Sequence, residues 1–214
     1  MSNSELPNNP GDRVSWVISA PDQAEMRRRY DLWARKYDAD LGNLEDYLAP
    51  RAMAGVAKTF LSRTDRILDA GAGTGLSGAA LQAAGFGNLV AADYSAGMLE
   101  IAATKNIYQE TLQADFGVRT PFADDAFDAV VTVGTTSQMP AESLREYVRI
   151  VRPGGRILFT VWVKPYVERG YAAIQQSLEA AGRLALIHKG EPFQALPTTE
   201  PDMWYEVWVF DVHS

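Results

Sequence analysis

From Arg66 onward, short apolar runs alternate with helix-like stretches, and this rhythm constrains the fold more than any other feature of the chain. Arg66 to Ala70, Leu89 to Asp93, Tyr108 to Phe116, Phe127 to Val133 and Arg156 to Trp162 read as strands. Between them Gly75 to Ala84, Gly97 to Lys105 and Ala141 to Val151 carry helical patterns. A strand that returns parallel to its predecessor needs a crossover, usually a helix. Strict alternation therefore predicts a parallel sheet with helices on both faces.

The C-terminal part breaks the rhythm. A helix from about Gly170 to Ala181 precedes two candidate strands, one within Leu184 to Leu196 and one from Trp204 to Val212, with Pro197, Pro201 and Asp202 between them. That spacing suits a hairpin antiparallel to the rest better than another crossover. The expected fold class is α/β: a seven-stranded mixed sheet, mostly parallel, with a C-terminal antiparallel hairpin.

On the N-terminal side, Met26, Tyr30, Trp33, Ala34, Tyr37 and Leu41 recur at steps of three and four within Asp22 to Tyr47, one face of an amphipathic helix. Pro50 interrupts and Ala52 to Leu61 resumes a helical pattern. Residues 1–13 mix Pro, Asn and Gly with nothing periodic to bury, so a flexible tail is expected there and order from about Val14. Residues 14–214 then form one domain: N-terminal helices over 14–64, a core over 65–163, and a C-terminal helix and hairpin over 164–214. A chain of 214 residues suits a single core.

The first strand runs into the turn Asp69-Ala70-Gly71-Ala72-Gly73-Thr74-Gly75. Such a turn needs glycine because it is tight and its backbone approaches a ligand closely. A dinucleotide fingerprint, Gly-x-Gly-x-x-Gly, fails from Gly71 but is met formally by Gly73, Gly75 and Gly78. Asp69 argues against it, since a pyrophosphate gains nothing from a carboxylate two residues before the first glycine. Asp93 ends the second strand 22 positions after Gly71, where a carboxylate accepts both hydroxyls of a ribose. That supports an adenosine without choosing the cofactor.

Composition excludes several functions. With 20 basic and 27 acidic residues and a formal charge of −7, no global field attracts nucleic acid or an anionic membrane. Zero cysteines and two histidines, His188 and His213, leave no thiolate chemistry and few metal ligands, so no metal is expected. No basic start with an apolar run opens the chain and no stretch of eighteen apolar residues occurs, so a cytoplasmic location is expected.

In order come Asp69-Ala-Gly-Ala-Gly-Thr-Gly75, Ala92-Asp93-Tyr94-Ser95-Ala-Gly-Met98-Leu99, Ala114-Asp115-Phe116, Phe127-Asp128-Ala-Val130 and Val151-Arg-Pro153-Gly154-Gly155. This series resembles the successive motifs of class I S-adenosylmethionine-dependent methyltransferases, over about Arg66 to Trp162. Tyr30-Asp31-Leu-Trp33-Ala34-Arg-Lys-Tyr37-Asp38 and Val133-Gly134-Thr-Thr-Ser137 also resemble the methyltransferase-like group named for the Williams-Beuren syndrome critical region.

The resemblance implies a Rossmann-like sheet, S-adenosylmethionine as cofactor and an N-terminal helical lid. It implies that Gly71, Gly73 and Gly75 wrap the methionine moiety, that Asp69 helps to order its amine, that Asp93 holds the ribose and that Ala70 belongs to the cofactor-binding residues. Tyr94 and Met98 would flank the adenine, Asp115 would meet its amino group beside the Phe116 backbone, and Val133 belongs to the fourth-strand motif. Tyr30, Trp33 and Tyr37 would face the cofactor from the lid, where an aromatic wall favours a sulfonium by roughly 0.5–2 kcal/mol.

Methyl transfer needs positioning above all, because the cofactor carries the hard chemistry. No catalytic base is assigned. Thr132 to Ser137 lacks the Asn/Asp-Pro-Pro-aromatic sequence associated with nucleic-acid amines, which favours a small-molecule acceptor. Two other readings remain open at this point: an NAD(P)-dependent oxidoreductase and a non-catalytic S-adenosylmethionine-binding module.

Overall fold

The computed structural model describes residues 5–41 and 46–214. Its centre is a sheet of strands β1 (Ile67–Ala70), β2 (Leu89–Asp93), β3 (Glu110–Gln113), β4 (Phe127–Thr132) and β5 (Val151–Val161), all parallel in the order β3-β2-β1-β4-β5. Every residue of β1 is buried, as a strand covered by helices on both faces requires. Helices α4 (Leu76–Ala83), α5 (Ala96–Thr104) and α6 (Ser143–Ile150) make the crossovers. β1 lies between β2 and β4, the point where the strand order reverses and α/β sheets bind ligands beyond their carboxyl ends.

Among the described residues the expected seven strands are eight. Gly190-Glu191-Pro192 splits the anticipated 184–196 strand into β6 (Leu184–Lys189) and β7 (Phe193–Leu196), since proline cannot donate to a ladder. The last strand, β8 (Glu200–Val212), has 13 residues and is long enough to serve both. Its C-terminal part runs antiparallel to β5 and β6, and its N-terminal part pairs with β7. A short helix that sequence periodicity does not show, α7 (Val163–Glu168), leads into α8 (Tyr171–Ala180). Strand β5 begins earlier than Arg156, and a Cβ on Gly155 would lie 2.5 Å from the Asp128 carbonyl, so only glycine fits there.

The N-terminal region holds α1 (Arg13–Ile18), α2 (Gln23–Asp40) and α3 (Ala49–Phe60). Asp22 caps α2 by accepting from the Glu25 amide at 2.8 Å. The expected helix to Tyr47 stops at Asp40, and its 42–45 part lies outside the described residues. Residues 1–4 of the expected tail also lie outside them, while helical order begins at Pro10, ahead of Val14. The reason is Arg13, buried against α2, which donates to the Pro7 carbonyl at 2.9 Å and pairs with Asp40.

Two apolar layers cover the sheet. One joins Trp16, Trp33, Met53 and Leu81 to Val131 and Tyr205, so α1 to α4 share a core with the sheet. The other packs Phe116, Tyr147, Phe159, Tyr171 and Phe210. Each fully buried side chain of this size stabilises the fold by about 1.5–3 kcal/mol.

Candidate cofactor site

The glycine turn leaves β1 with Gly71, Gly73 and Gly75 all at positive φ (74°, 55° and 90°), a conformation L side chains adopt only with strain. A Cβ on Gly71 would lie 2.6 Å from both the Met139 Cε and the Thr135 Cγ2 atoms, whereas one on Gly73 would meet nothing within 4 Å. Gly71 is thus required by close packing, and Gly73 presents bare backbone to open space.

Asp93, at the carboxyl end of β2, faces the same space. Its carboxylate accepts from the amides of Gly73 and Ser95, each at 2.8 Å, which ties the two ligand-facing turns together. Burial raises its pKa above the usual carboxylate value against the lowering effect of those amides. Ser95 caps α5 by accepting from the Met98 amide at 3.0 Å.

Helix α2 roofs the cleft that results. Asp31 accepts from the Ser95 hydroxyl at 2.6 Å and the Gly97 amide at 3.0 Å. Asp38 accepts from the Thr74 hydroxyl and pairs with Lys105 at 2.6 Å. Tyr30 donates to the Gln138 side chain at 2.6 Å, and Gln23 donates to the Gln138 carbonyl at 2.6 Å. The helix is therefore fastened to the loops after β1, β2 and β4.

The roofed cleft measures about 630 Å³ counted to its open mouth. Of the residues expected from sequence, the structure brings Tyr30, Tyr37, Gly71, Gly73, Asp93, Tyr94, Met98 and Val133 into its wall. Gln23, Arg27, Tyr47, Ser95, Gln138 and Met139 join them without having been anticipated as site residues. Thr135 also lines it and lies in the quoted Val133 to Ser137 stretch, whereas no local pattern marks Gln138.

Trp33, Asp69, Ala70, Gly75, Asp115 and Phe116 are not among the lining residues. Trp33 is 2% exposed and turns into the core, its indole donating to Asp40 at 2.5 Å. Ala70 is buried within β1, and Gly75 caps α4 with its open side on Tyr108. Asp115 accepts from the Gly117 amide at 2.7 Å, and Phe116 packs 5.2 Å from the Tyr147 ring.

Asp69 lies fully buried beneath the glycine turn, not at its ligand face. One oxygen accepts from the Ser77 and Tyr108 hydroxyls, both at 2.6 Å, while the other has no partner. Burial outweighs those bonds and pushes its pKa up to about 6. Tyr108 reaches it across Gly78, where a Cβ would come 2.1 Å from the phenol oxygen.

These residues fit an S-adenosyl group. Asp93 keeps lone pairs for ribose hydroxyls, Tyr94 and Met98 offer an aromatic ring and a thioether to an adenine, and the bare backbone at Gly73 admits an amino-acid moiety. Among the described residues no helix is long and apolar enough to cross a membrane, and no cluster of three or more His, Asp or Glu could hold a metal ion.

Residues 68–159 match the family model for a methyltransferase domain. Over 214 aligned residues the chain is 37% identical to the demethylmenaquinone methyltransferase of Clavibacter sepedonicus, covering 94% of this chain and 82% of that protein. It is 36% identical over 154 residues to human methyltransferase-like protein 27, covering 69% of this chain but only 62% of that one. The fold is similar to a TehB-like S-adenosylmethionine-dependent methyltransferase from Corynebacterium glutamicum, with a TM-score of 0.64 at 18% identity over 86% of this chain and 97% of that one. The matched span contains the glycine turn, so the hydride-transfer reading of that turn is set aside.

Proposed function

This chain belongs to the class I S-adenosylmethionine-dependent methyltransferases, and from that membership we propose that it methylates a small molecule admitted beneath helix α2. The observation that carries the reading is the roof. Asp31 and Asp38 fasten α2 over the turns that hold Gly73, Asp93 and Ser95, so an acceptor must fit inside a covered cleft. The formal charge of −7 opposes a polyanionic acceptor, and the long alignment to a protein named for demethylmenaquinone supports a small one.

Tyr94, Met98, Asp93, Gly71 and Gly73 would hold the cofactor, with Tyr30 and Tyr37 closing over it. When bound, S-adenosylmethionine supplies an electrophilic methyl on a sulfonium whose sulfur keeps the bonding electron pair on transfer. The protein's part is to align the acceptor and exclude water.

Incubation of the full chain with methyl-labelled S-adenosylmethionine and, separately, reduced demethylmenaquinone, duplex DNA, tRNA and a protein mixture tests this. Label is expected in the solvent-extractable small molecule. Label confined to a polymer would overturn the proposal.

A further inference from the structure

We propose that the hydroxyls of Tyr37, Tyr47 and Tyr205 form an acceptor subsite for a flat apolar ring carrying an ionised ring hydroxyl, a phenolate or enolate. The inference rests on the methyl-transfer reading above and adds the chemical class of acceptor.

A second cavity, about 400 Å³ counted to its mouth, adjoins the cofactor cleft, and the two share Tyr30, Tyr37, Tyr47, Gly134 and Gln138 as a wall. Its far side is apolar, formed by Ile18, Leu41, Leu196 and Met203. Tyr47 is 8% exposed and Tyr205 is 4% exposed, yet both hydroxyls approach the bare turn after β4. A Cβ on Gly134 would lie 2.4 Å from the Tyr47 oxygen and 4.0 Å from that of Tyr205.

None of the three hydroxyls has a hydrogen-bond partner among the described residues. Elsewhere in the fold, Tyr30, Tyr108, Tyr166 and Tyr171 all find one. The hydroxyls of Tyr37, Tyr47 and Tyr205 are not sealed in the core, so they open on the cavity and are free to donate to an acceptor oxygen from outside the chain.

Burial raises all three phenols above their ordinary value, which keeps them neutral donors. Several donors on one oxygen favour its charged form. The nearby carboxylates are engaged elsewhere, Asp38 with Lys105 and Thr74, and Asp93 with the Gly73 and Ser95 amides. Among the described residues no His, Lys, Asp or Glu lines this second cavity. A ring that arrives already ionised needs none to take its proton.

The test titrates the full chain, saturated with S-adenosylhomocysteine, with 4-nitrophenol, whose ionised form is read by absorbance, and with nitrobenzene, which lacks the hydroxyl. Bound 4-nitrophenol is expected as the phenolate and at least about tenfold tighter than nitrobenzene. Tyr47→Phe/Tyr205→Phe should weaken 4-nitrophenol by about tenfold or more while leaving nitrobenzene within about threefold. S-adenosylhomocysteine should bind the Tyr205→Phe single variant within about threefold of the parent protein. Bound 4-nitrophenol in its protonated form, no preference over nitrobenzene, no binding, or an unaffected double variant would each overturn the inference alone. Failure of S-adenosylhomocysteine to bind would overturn the cofactor reading and this inference together.

Discussion

The carboxylate of Asp31 on α2 accepts a 2.6 Å hydrogen bond from Ser95, the residue that caps α5 and follows the turn bearing Asp93. A side chain on the roof thus holds the floor of the cofactor site. Ser95 is buried whereas Asp31 is exposed, so removing Asp31 leaves a buried hydroxyl short of a partner without opening a cavity. Asp31→Ala is expected to cost about 0.5–1.5 kcal/mol of S-adenosylhomocysteine affinity by calorimetry and to lower the melting temperature by a few degrees. Unchanged affinity would show that α2 is not fastened through this contact.

Asp93 has internal work besides any ribose. Because its two oxygens accept from the Gly73 and Ser95 amides, Asp93→Ala is expected to weaken S-adenosylhomocysteine by about 1.5–3 kcal/mol and also to lower the melting temperature of the ligand-free protein. Asp93→Asn should keep one of the two amide bonds through its oxygen and lose the other, where its NH2 would face a backbone N–H. A melting shift with full affinity would reduce Asp93 to a structural clasp.

Asp69 makes stability depend on pH in a direction opposite to that of a salt-bridged acid. Its folded pKa of about 6 lies above the ordinary 3.8, so the folded state holds the proton more tightly than the unfolded chain. The resulting stabilisation is full below about pH 4 and is lost as pH rises through about 6. Plotted against pH, the unfolding free energy of the parent protein minus that of Asp69→Asn is expected to fall by up to about 3 kcal/mol across that window and then level off. A flat difference would mean that Asp69 titrates normally.

The parallel core and the cofactor turns were legible because their signals are local. The Gly71, Gly73 and Gly75 spacing and the acid at Asp93 are fixed by what one turn must do beside a ligand. The remainder depends on which residues meet across the fold. Tyr30 meets Gln138 at a separation of 108 residues, and Tyr108 reaches Asp69 at 39, so neither pairing leaves a mark in a window of sequence. Likewise the division of β8 between two sets of partners follows from its length and from Pro192, not from alternation within it. The aromatic stripe on α2 was visible as a stripe, but which of its members faces a ligand is decided by α3 and the sheet.

That stripe yields the last prediction, because its three aromatics have two different jobs. Trp33 is 2% exposed and sits 4.7 Å from the Tyr37 ring, within the same apolar layer as Met53 and Leu196. Tyr30 and Tyr37 line the cleft. Trp33→Ala should therefore destabilise the protein by about 3–5 kcal/mol, since a buried indole leaves a void that its neighbours fill only in part. For a domain of this size that lowers the melting temperature by roughly 6–20 °C. Tyr30→Phe keeps the ring and loses only the bond to Gln138, so it should melt within a few degrees of the parent, at about 1 kcal/mol, and bind S-adenosylhomocysteine more weakly. Deleting residues 1–40 removes both functions at once and should leave no cooperative melt, because α3 and the sheet lose the layer that covers them. Calorimetric melting of the three proteins, with S-adenosylhomocysteine titration wherever a folded state survives, separates these outcomes. A truncated chain that melted like the parent would mean that α2 is only a detachable lid, and that the core beneath it is complete without Trp33.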